Sequence, residues 1–216
     1  MMNANQITEK LQGQFGADRI QVDEKAKRGG VLVSVENLVD TMRFLRDDPE
    51  LAMDFLNCVT GIDLLGLAGA ESDNLRSLYH LYSYAQRHEF SVSVDIPRDD
   101  PRVPSMTSLW ASAIWMEREA YDLLGIIYEN HPGLTRLLLP TEFEGHPLRK
   151  DWKEGEFVMG ISTTRDTPMD LLKFFHDKMG GEVPPGLTTD LDPPTAEGNA
   201  PSPESTPSSD SAPEVE

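Results

Sequence analysis

The sequence predicts an α+β domain: a mixed or antiparallel sheet flanked by helices, followed by an extended segment and a disordered acidic tail. Three observations carry this. Residues His88 to Ile96 alternate apolar and polar side chains with a period of two, the mark of a strand with one wet face. Residues 3–15, 36–46 and 109–124 repeat apolar side chains at helical spacing. From Glu182 onward the chain is rich in Pro, Ser, Thr and Glu and poor in large apolar residues. Burial there cannot offset an ordering cost of about 1–2 kcal/mol per residue.

In chain order, Ile7, Leu11 and Phe15 recur every fourth residue and predict a short amphipathic helix from Asn3 to Phe15. Arg28-Gly29-Gly30 signals a turn, and the β-branched run Val31 to Val35 a strand. A helix over 36–46 buries Leu38, Met42 and Leu45, and Asp47-Asp48-Pro49 stops it because the residue before Pro is pushed out of helical geometry. Residues 52–65 fit either element; the favoured reading is a short helix entering a strand near Val59. Leu75 to Ala85 and His88 to Ile96 form a hairpin, with Leu78, His80, Tyr82 and Tyr84 along one side of its first strand. Pro97 to Pro104 reads as a polar loop. Ser108 is positioned to cap a helix beginning near Leu109, which Gly125 ends. A last helix is expected over Pro168 to Met179, with Gly180-Gly181 closing it. The organisation that follows is an α+β domain over 1–125, an extended partner-docking segment with a short helix over 126–181, and a tail over 182–216.

The formal net charge is -18, but it is uneven. Residues 181–216 hold eight acidic side chains, no basic ones, and eight of the sixteen prolines. Without those eight acids the rest of the chain stands at -10. Such a balance excludes a nucleic-acid binder, which needs a basic face to neutralise phosphates, and gives no general attraction to anionic lipid. One cysteine, Cys58, allows no internal disulfide. Set between Leu56 and Val59, it reads as a small buried apolar residue. The N-terminus lacks the apolar core of a signal peptide. The longest run free of Asp, Glu, Lys and Arg is the 14 residues from Val103 to Met116, short of the roughly 20 that span a bilayer.

No self-contained catalytic centre is visible. Glu117, Arg118, Glu119 and Asp122 sit at helical i,i+3 and i,i+4 spacings and read as an ion-pair lattice that orders a docking helix. Carboxylates so spaced also occur in di-metal bundles, but no accompanying Glu-x-x-His is present. His80, His88, His131, His146 and His176 contain no close ligand pair, so His131 and His146, each before a Pro, are expected to hydrogen-bond turns. One Cys excludes a four-thiolate iron–sulfur cluster. No phosphate-cradling glycine loop and no Gly-x-Ser-x-Gly elbow appear. What stands out is density: the 38 residues from Trp115 to Trp152 pack a charged helix, two His-Pro turns and Arg149-Lys150 together. Arg forks and aromatic side chains in such a segment suit a surface that lies against another polypeptide; an exposed basic turn is the alternative.

At these residues the chain resembles the 30-kDa subunit family of respiratory complex I, the C-type subunit of NADH-quinone oxidoreductase. The resemblance rests on Glu117-Arg118-Glu119, on Tyr121-Asp122-Leu123-Leu124-Gly125-Ile126, on His131-Pro132-Gly133-Leu134-Thr135-Arg136, and on the block from Glu144 to Asp151. It extends more weakly through Leu45 to Asp48 and Thr60-Gly61-Ile62-Asp63, covering roughly residues 30 to 153. Thr135 stands where the family commonly has Arg, Phe143 where it has Trp, and Trp152 where it has Tyr.

The resemblance implies a cofactor-free peripheral-arm component of a proton-translocating NADH:quinone oxidoreductase. Such a component scaffolds the D-type subunit at the quinone site and neighbouring iron–sulfur subunits in a hetero-oligomer. FMN and iron–sulfur clusters would lie in partner subunits, and the membrane would be met only through the complex, on the cytoplasmic side of the inner membrane. The isolated chain would be non-catalytic. The expected partner-docking set is Glu117, Arg118, Glu119, Asp122, His131, Arg136, His146, Arg149 and Lys150, the first four ordering the helix. Rival readings are the equivalent component of a chloroplast-type or coenzyme F420-linked dehydrogenase or membrane-bound hydrogenase, a free-standing metal enzyme, and a binding module acting through its tail.

Overall fold

In the computed structural model the helix nearest the N-terminus, α1 (Ala4–Phe15), starts where its residues dictate. Asn3 caps it: the Asn3 side chain accepts from Gln6 N–H at 2.9 Å, and the Gln6 side chain accepts from Asn3 N–H at 2.9 Å. Two of the donors that every helix start leaves orphaned are thereby satisfied. Gly16, at φ 93°, ends the helix. The structure describes residues 2–23, 26, 29–67, 72–155, 157–158 and 160–163. The expected helix over Pro168 to Met179 and the tail lie outside the described residues.

Two short strands, β1 (Ile20–Val22) and β2 (Gly30–Val33), are followed by α2 (Val35–Asp47), which buries Leu38, Thr41, Met42 and Leu45. Three nine-residue strands come next: β3 (Phe55–Asp63), β4 (Leu75–Ser83) and β5 (His88–Ile96). Then come β6 (Arg102–Pro104), α3 (Ala113–Leu124) and β7 (Ile127–Glu129), with the two-residue strands β8 (Phe157–Val158) and β9 (Ile161–Ser162) closing the described part.

The main sheet has the order β1-β2-β5-β4-β3 and is mixed: β2 and β5 run parallel and the other neighbours antiparallel. The hairpin turns through residues 84–87, with Arg87 at φ 54° and its N–H on Ser83 O at 2.8 Å. One apolar cluster joins Ile7 and Leu11 of α1, Leu38, Met42 and Leu45 of α2, and Ala113, Ala120 and Leu124 of α3 to Val31, Val33, Tyr79, Phe90, Val92, Val94 and Ile96 of the sheet. The three helices therefore cover the same sheet face.

Several expectations are corrected. Residues 55–63 form a strand throughout, with no preceding helix, because pairing with β4 from Phe55↔Tyr82 to Asp63↔Leu75 overrides a helical spacing that is only local. A register shift between Leu56 and Cys58 accompanies this pairing and leaves Cys58 exposed rather than buried. On β4 the buried face is Leu75, Ser77, Tyr79, Leu81 and Ser83, the side opposite Leu78, His80 and Tyr82. β5 has no fully wet face: Ser91 and Ser93 are buried because β5 is flanked on both edges, and they bond His80 Nδ1 at 3.2 Å and Asp23 Oδ2 at 2.9 Å. The loop read over Pro97 to Pro104 contains β6, which pairs with β7 in parallel. The helix begins at Ala113 rather than near Leu109, since turns over 106–112 precede it and Ser112 makes no capping bond.

Gly61 of β3 sets how closely α3 approaches the sheet. A Cβ added there would collide with Leu124 Cδ1. Glycine here lets the end of α3 sit on the strand without displacing the Leu124 side chain.

Candidate functional site

The last turn of any helix leaves four carbonyls without partners. In α3 each of them is met. Gly125, in the left-handed conformation at φ 75°, donates its N–H to Tyr121 O at 2.8 Å. Asp122 O accepts from His146 Nδ1 at 2.9 Å and from Arg136 Nη1 at 3.3 Å. Leu123 O accepts from Leu148 N–H at 3.0 Å. Leu124 O accepts from Arg149 Nε at 2.6 Å. The irregular segment over 134–152 is thus a clasp on the helix C-terminus. It sets two guanidinium groups where the helix dipole favours positive charge. Gly125 is needed for closeness as well as conformation: a Cβ there would lie 2.6 Å from the His146 ring and 2.8 Å from Arg149 Nη2.

The Asp122 side chain does the complementary work. It is fully buried. Its Oδ1 pairs with Arg136 Nη1 at 2.8 Å, and its Oδ2 accepts the N–H groups of Leu137, Leu138 and Leu139 at 2.9, 2.7 and 2.9 Å. Burial pushes this carboxyl upward, but the three N–H donors and the Arg136 guanidinium outweigh it and hold Asp122 below the usual carboxylate range. Arg136 then uses Nη2 to donate to Phe143 O at 2.9 Å and Gly145 O at 3.0 Å. Arg118 donates to Thr135 O at 3.0 Å and Arg136 O at 2.9 Å, and its guanidinium lies 5.0 Å from the Trp115 ring centroid. Phe143 and Trp152 stack at 5.8 Å, and Trp152 Nε1 donates to Glu144 O at 3.2 Å. The two aromatic departures from the family pattern therefore face one another and keep a ring-on-ring contact.

A second anchor ties the clasp to the sheet. Asp63, at the end of β3, accepts Lys150 N–H at 2.8 Å and Leu65 N–H at 2.9 Å, and pairs with Arg98. Arg98 also reaches Asp151 at 3.1 Å and Asp73 O at 3.0 Å. Burial would raise the Asp63 carboxyl; the two N–H donors and Arg98 together bring it below its ordinary value.

The structure brings together five of the nine predicted residues at the clasp, Arg118, Asp122, Arg136, His146 and Arg149, but not as an ion-pair lattice. Arg118 and Asp122 do not pair along the helix; each binds the clasp, because the backbone of 134–139 offers better-placed partners than a neighbouring turn. His131 accepts Gly133 N–H on Nδ1 at 3.0 Å, so Nε2 carries the proton and donates to Ile114 O at 3.0 Å. His146 is pushed down by burial, helped by Arg149 and Arg136, and donates from Nδ1 to Asp122 O. Both histidines bond backbone, but only His131 does so at its own turn, through Gly133 N–H; its Nε2 and the His146 ring reach carbonyls of α3, Ile114 O and Asp122 O. Glu117 is buried and binds Ser105 and Met106. Glu119 and Lys150 have exposed side chains. Sequence reasoning missed Asp63 and Arg98 as the second anchor. Thr60-Gly61-Ile62-Asp63 marked the place, but nothing local shows that a carboxylate 87 residues before Lys150 receives its N–H.

Among the described residues, no group of three or more His, Cys, Asp or Glu side chains is placed to hold a metal ion. No described helix is long and apolar enough to cross a membrane. The clasp fixes an otherwise irregular segment and leaves Trp115, Leu138 and Leu148 facing outward at 58, 61 and 57% exposure.

The family model described as respiratory-chain NADH dehydrogenase, 30 Kd subunit, matches residues 31–158, a span that holds the sheet from β2 onward, α3 and the clasp. This chain belongs to that family. A C-type subunit of NADH-quinone oxidoreductase from Roseiflexus castenholzii (strain DSM 13941 / HLO8) is 46% identical over 141 residues, which is 64% of this chain and 79% of that protein. Another, from Citrifermentans bemidjiense, is 37% identical over 152 residues, 70% of this chain and 91% of that one. Among solved structures, a trypsin-resistant fragment (1-134) of Nqo5 superimposes with a TM-score of 0.53 at 27% identity, covering 62% of this chain and all of the fragment. The motifs that carry the family resemblance thus coincide with the clasp and its two carboxylate anchors.

Proposed function

We propose that this chain acts as the 30-kDa, C-type subunit of a proton-translocating NADH:quinone oxidoreductase, a peripheral-arm scaffold with no cofactor of its own. The relatives it matches carry that polypeptide's name. The observation that carries the mechanical part is the use of the motif residues: Arg118, Asp122, Arg136, His146 and Arg149 are engaged within the chain, so they shape a docking surface rather than supply its reactive groups. Trp115, Leu138, Leu148 and the Lys150 side chain are exposed around these engaged residues. Large apolar side chains with a charged rim suit a protein interface.

On this reading the partners are the D-type subunit at the quinone site and adjacent iron–sulfur subunits. FMN and the clusters lie in those partners. The chain meets the membrane only through the complex, on the cytoplasmic face of the inner membrane. Residues 126–181 serve as the docking segment and 182–216 as a tail. The test is a pull-down from native membranes with the full chain as bait. Recovery of the quinone-site and iron–sulfur subunits in fixed ratio supports the reading. A solitary chain, or one that turns over a substrate by itself, refutes it.

A further inference from the structure

Glu117 differs from the other two buried carboxylates of this region. Asp122 and Asp63 each have an arginine. Glu117 is fully buried, yet its hydrogen-bond partners are neutral: Ser105 Oγ donates to Oε2 at 2.6 Å and Met106 N–H to Oε1 at 2.7 Å. The elements around it add no compensating cation among the described residues. β4 presents Tyr79 and β7 presents Tyr128, both fully buried, and Tyr128 Oη bonds Ser77 Oγ at 3.0 Å. α2 sends Arg46 to this region, but to Leu109 O at 3.4 Å. An isolated buried carboxylate is costly, and burial pushes Glu117 up to about 7.

The hydrogen bonds do not stop at Ser105. Ser105 Oγ lies 2.8 Å from Thr107 Oγ1, and both residues are only half-buried. Carboxyl, hydroxyl and hydroxyl form a chain from the interior toward the surface. A hydroxyl both donates and accepts, so the chain has two satisfied polarities. With Glu117 ionised, Ser105 donates to it. With Glu117 protonated, Oε2–H donates to Ser105 Oγ, whose own proton turns to Thr107 Oγ1.

We propose that Glu117 is a buried proton-exchange site of this domain, served by a Ser105–Thr107 hydroxyl relay whose direction reverses when the carboxyl takes up a proton. A proton accepted from solvent at Thr107 Oγ1 releases that hydroxyl's proton to Ser105 Oγ, and the Ser105 proton passes to Glu117 Oε2. One proton enters and one carboxylate is neutralised. The relay sits in the turn between β6 and α3. That turn leads directly to Trp110, whose Nε1 bonds Met53 O in the connection between α2 and β3 at 3.1 Å. The inference does not depend on membership of a larger complex.

The test is carbon-13 NMR of the full chain, labelled at Glu, Ser and Thr, across pH 5 to 9. One glutamate carboxyl should titrate with a midpoint near 7, and Glu117→Gln should abolish that titration. The Ser105 and Thr107 Cβ resonances should move with the same midpoint. Ser105→Ala removes a hydrogen bond to the charged form and should raise the midpoint by about one unit; this variant keeps the test open if Glu117→Gln fails to fold. A Glu117 midpoint below 5 overturns the site. A midpoint near 7 with flat Ser105 and Thr107 signals, or one that Ser105→Ala leaves unmoved, overturns the relay.

Discussion

Replacing Asp122 tests the clasp most directly. Asp122→Ala removes a fully buried carboxylate that holds Arg136 and three consecutive N–H groups. Breaking a buried ion pair by deleting one partner typically costs about 3–5 kcal/mol, because the other charge is left uncompensated. The Arg136 side chain keeps 18% exposure, and residues 137–139 are half-buried or exposed, so water can recover part of the loss. That places the expected cost toward the lower end, about 3–4 kcal/mol, a large share of the 5–15 kcal/mol by which a domain is usually stable. Asp122→Asn keeps one oxygen for the N–H groups but turns an amide donor toward Arg136 or loses an acceptor, and should cost about 2 kcal/mol. The assay is urea unfolding followed by tryptophan fluorescence, with the slope checked for constancy. Trypsin digestion should show cutting within 134–152 before the sheet is attacked. A double-mutant cycle with Arg136→Ala should give a coupling of about 2 kcal/mol. A cost below about 1 kcal/mol with an intact 134–152 segment would mean that the clasp is held by something other than this carboxylate.

Four further outcomes are expected. Gly125→Ala meets both a left-handed φ of 75° and contacts at 2.6–2.8 Å, so it should lower the melting temperature by several degrees, about 2 kcal/mol or more, and free His146 to titrate nearer its ordinary value. Asp63 and Asp122 have folded carboxyls held below their ordinary value, so their contribution is present above the unfolded value near 4 and is lost as pH falls through the lower folded one. Stability measured from pH 5 downward should therefore fall, and less steeply in Asp122→Asn; an unchanged slope counts against that pair. Finally, Leu148→Ser with Lys150→Glu should leave the chain's own stability within about 0.5 kcal/mol while weakening co-purification with partner subunits, since both side chains are exposed. Arg149→Glu should instead destabilise the chain itself, because Arg149 caps Leu124 O.

The helices α1 and α2, the β4–β5 hairpin and the C-terminal stop at Gly125 were legible because their causes are local. A cap, a three-to-four residue apolar repeat, a period-two alternation and a left-handed glycine each act within a few positions. The strand identity of residues 55–63 was not, because a bulged pairing with β4 chose strand where the local pattern permitted either. Ser91 and Ser93 read as wet for a similar reason: alternation reports polarity, while flanking by β2 and β4 makes the burial.

The amino-acid sequence by itself determined the family, the α+β class and the importance of the stretch from Glu117 to Asp151, since residue types at fixed spacing are enough for those. Only the tertiary structure decided what that stretch does. Its charges face carbonyls at the end of α3 and the N–H groups of the returning segment, across separations of up to 25 residues along the chain, and Asp63 joins from 87 residues away. Whether an arginine grips a neighbour or closes its own helix depends on which orphaned acceptor the folded backbone brings within 3 Å, and that is a property of the assembled sheet and helix rather than of any window of sequence.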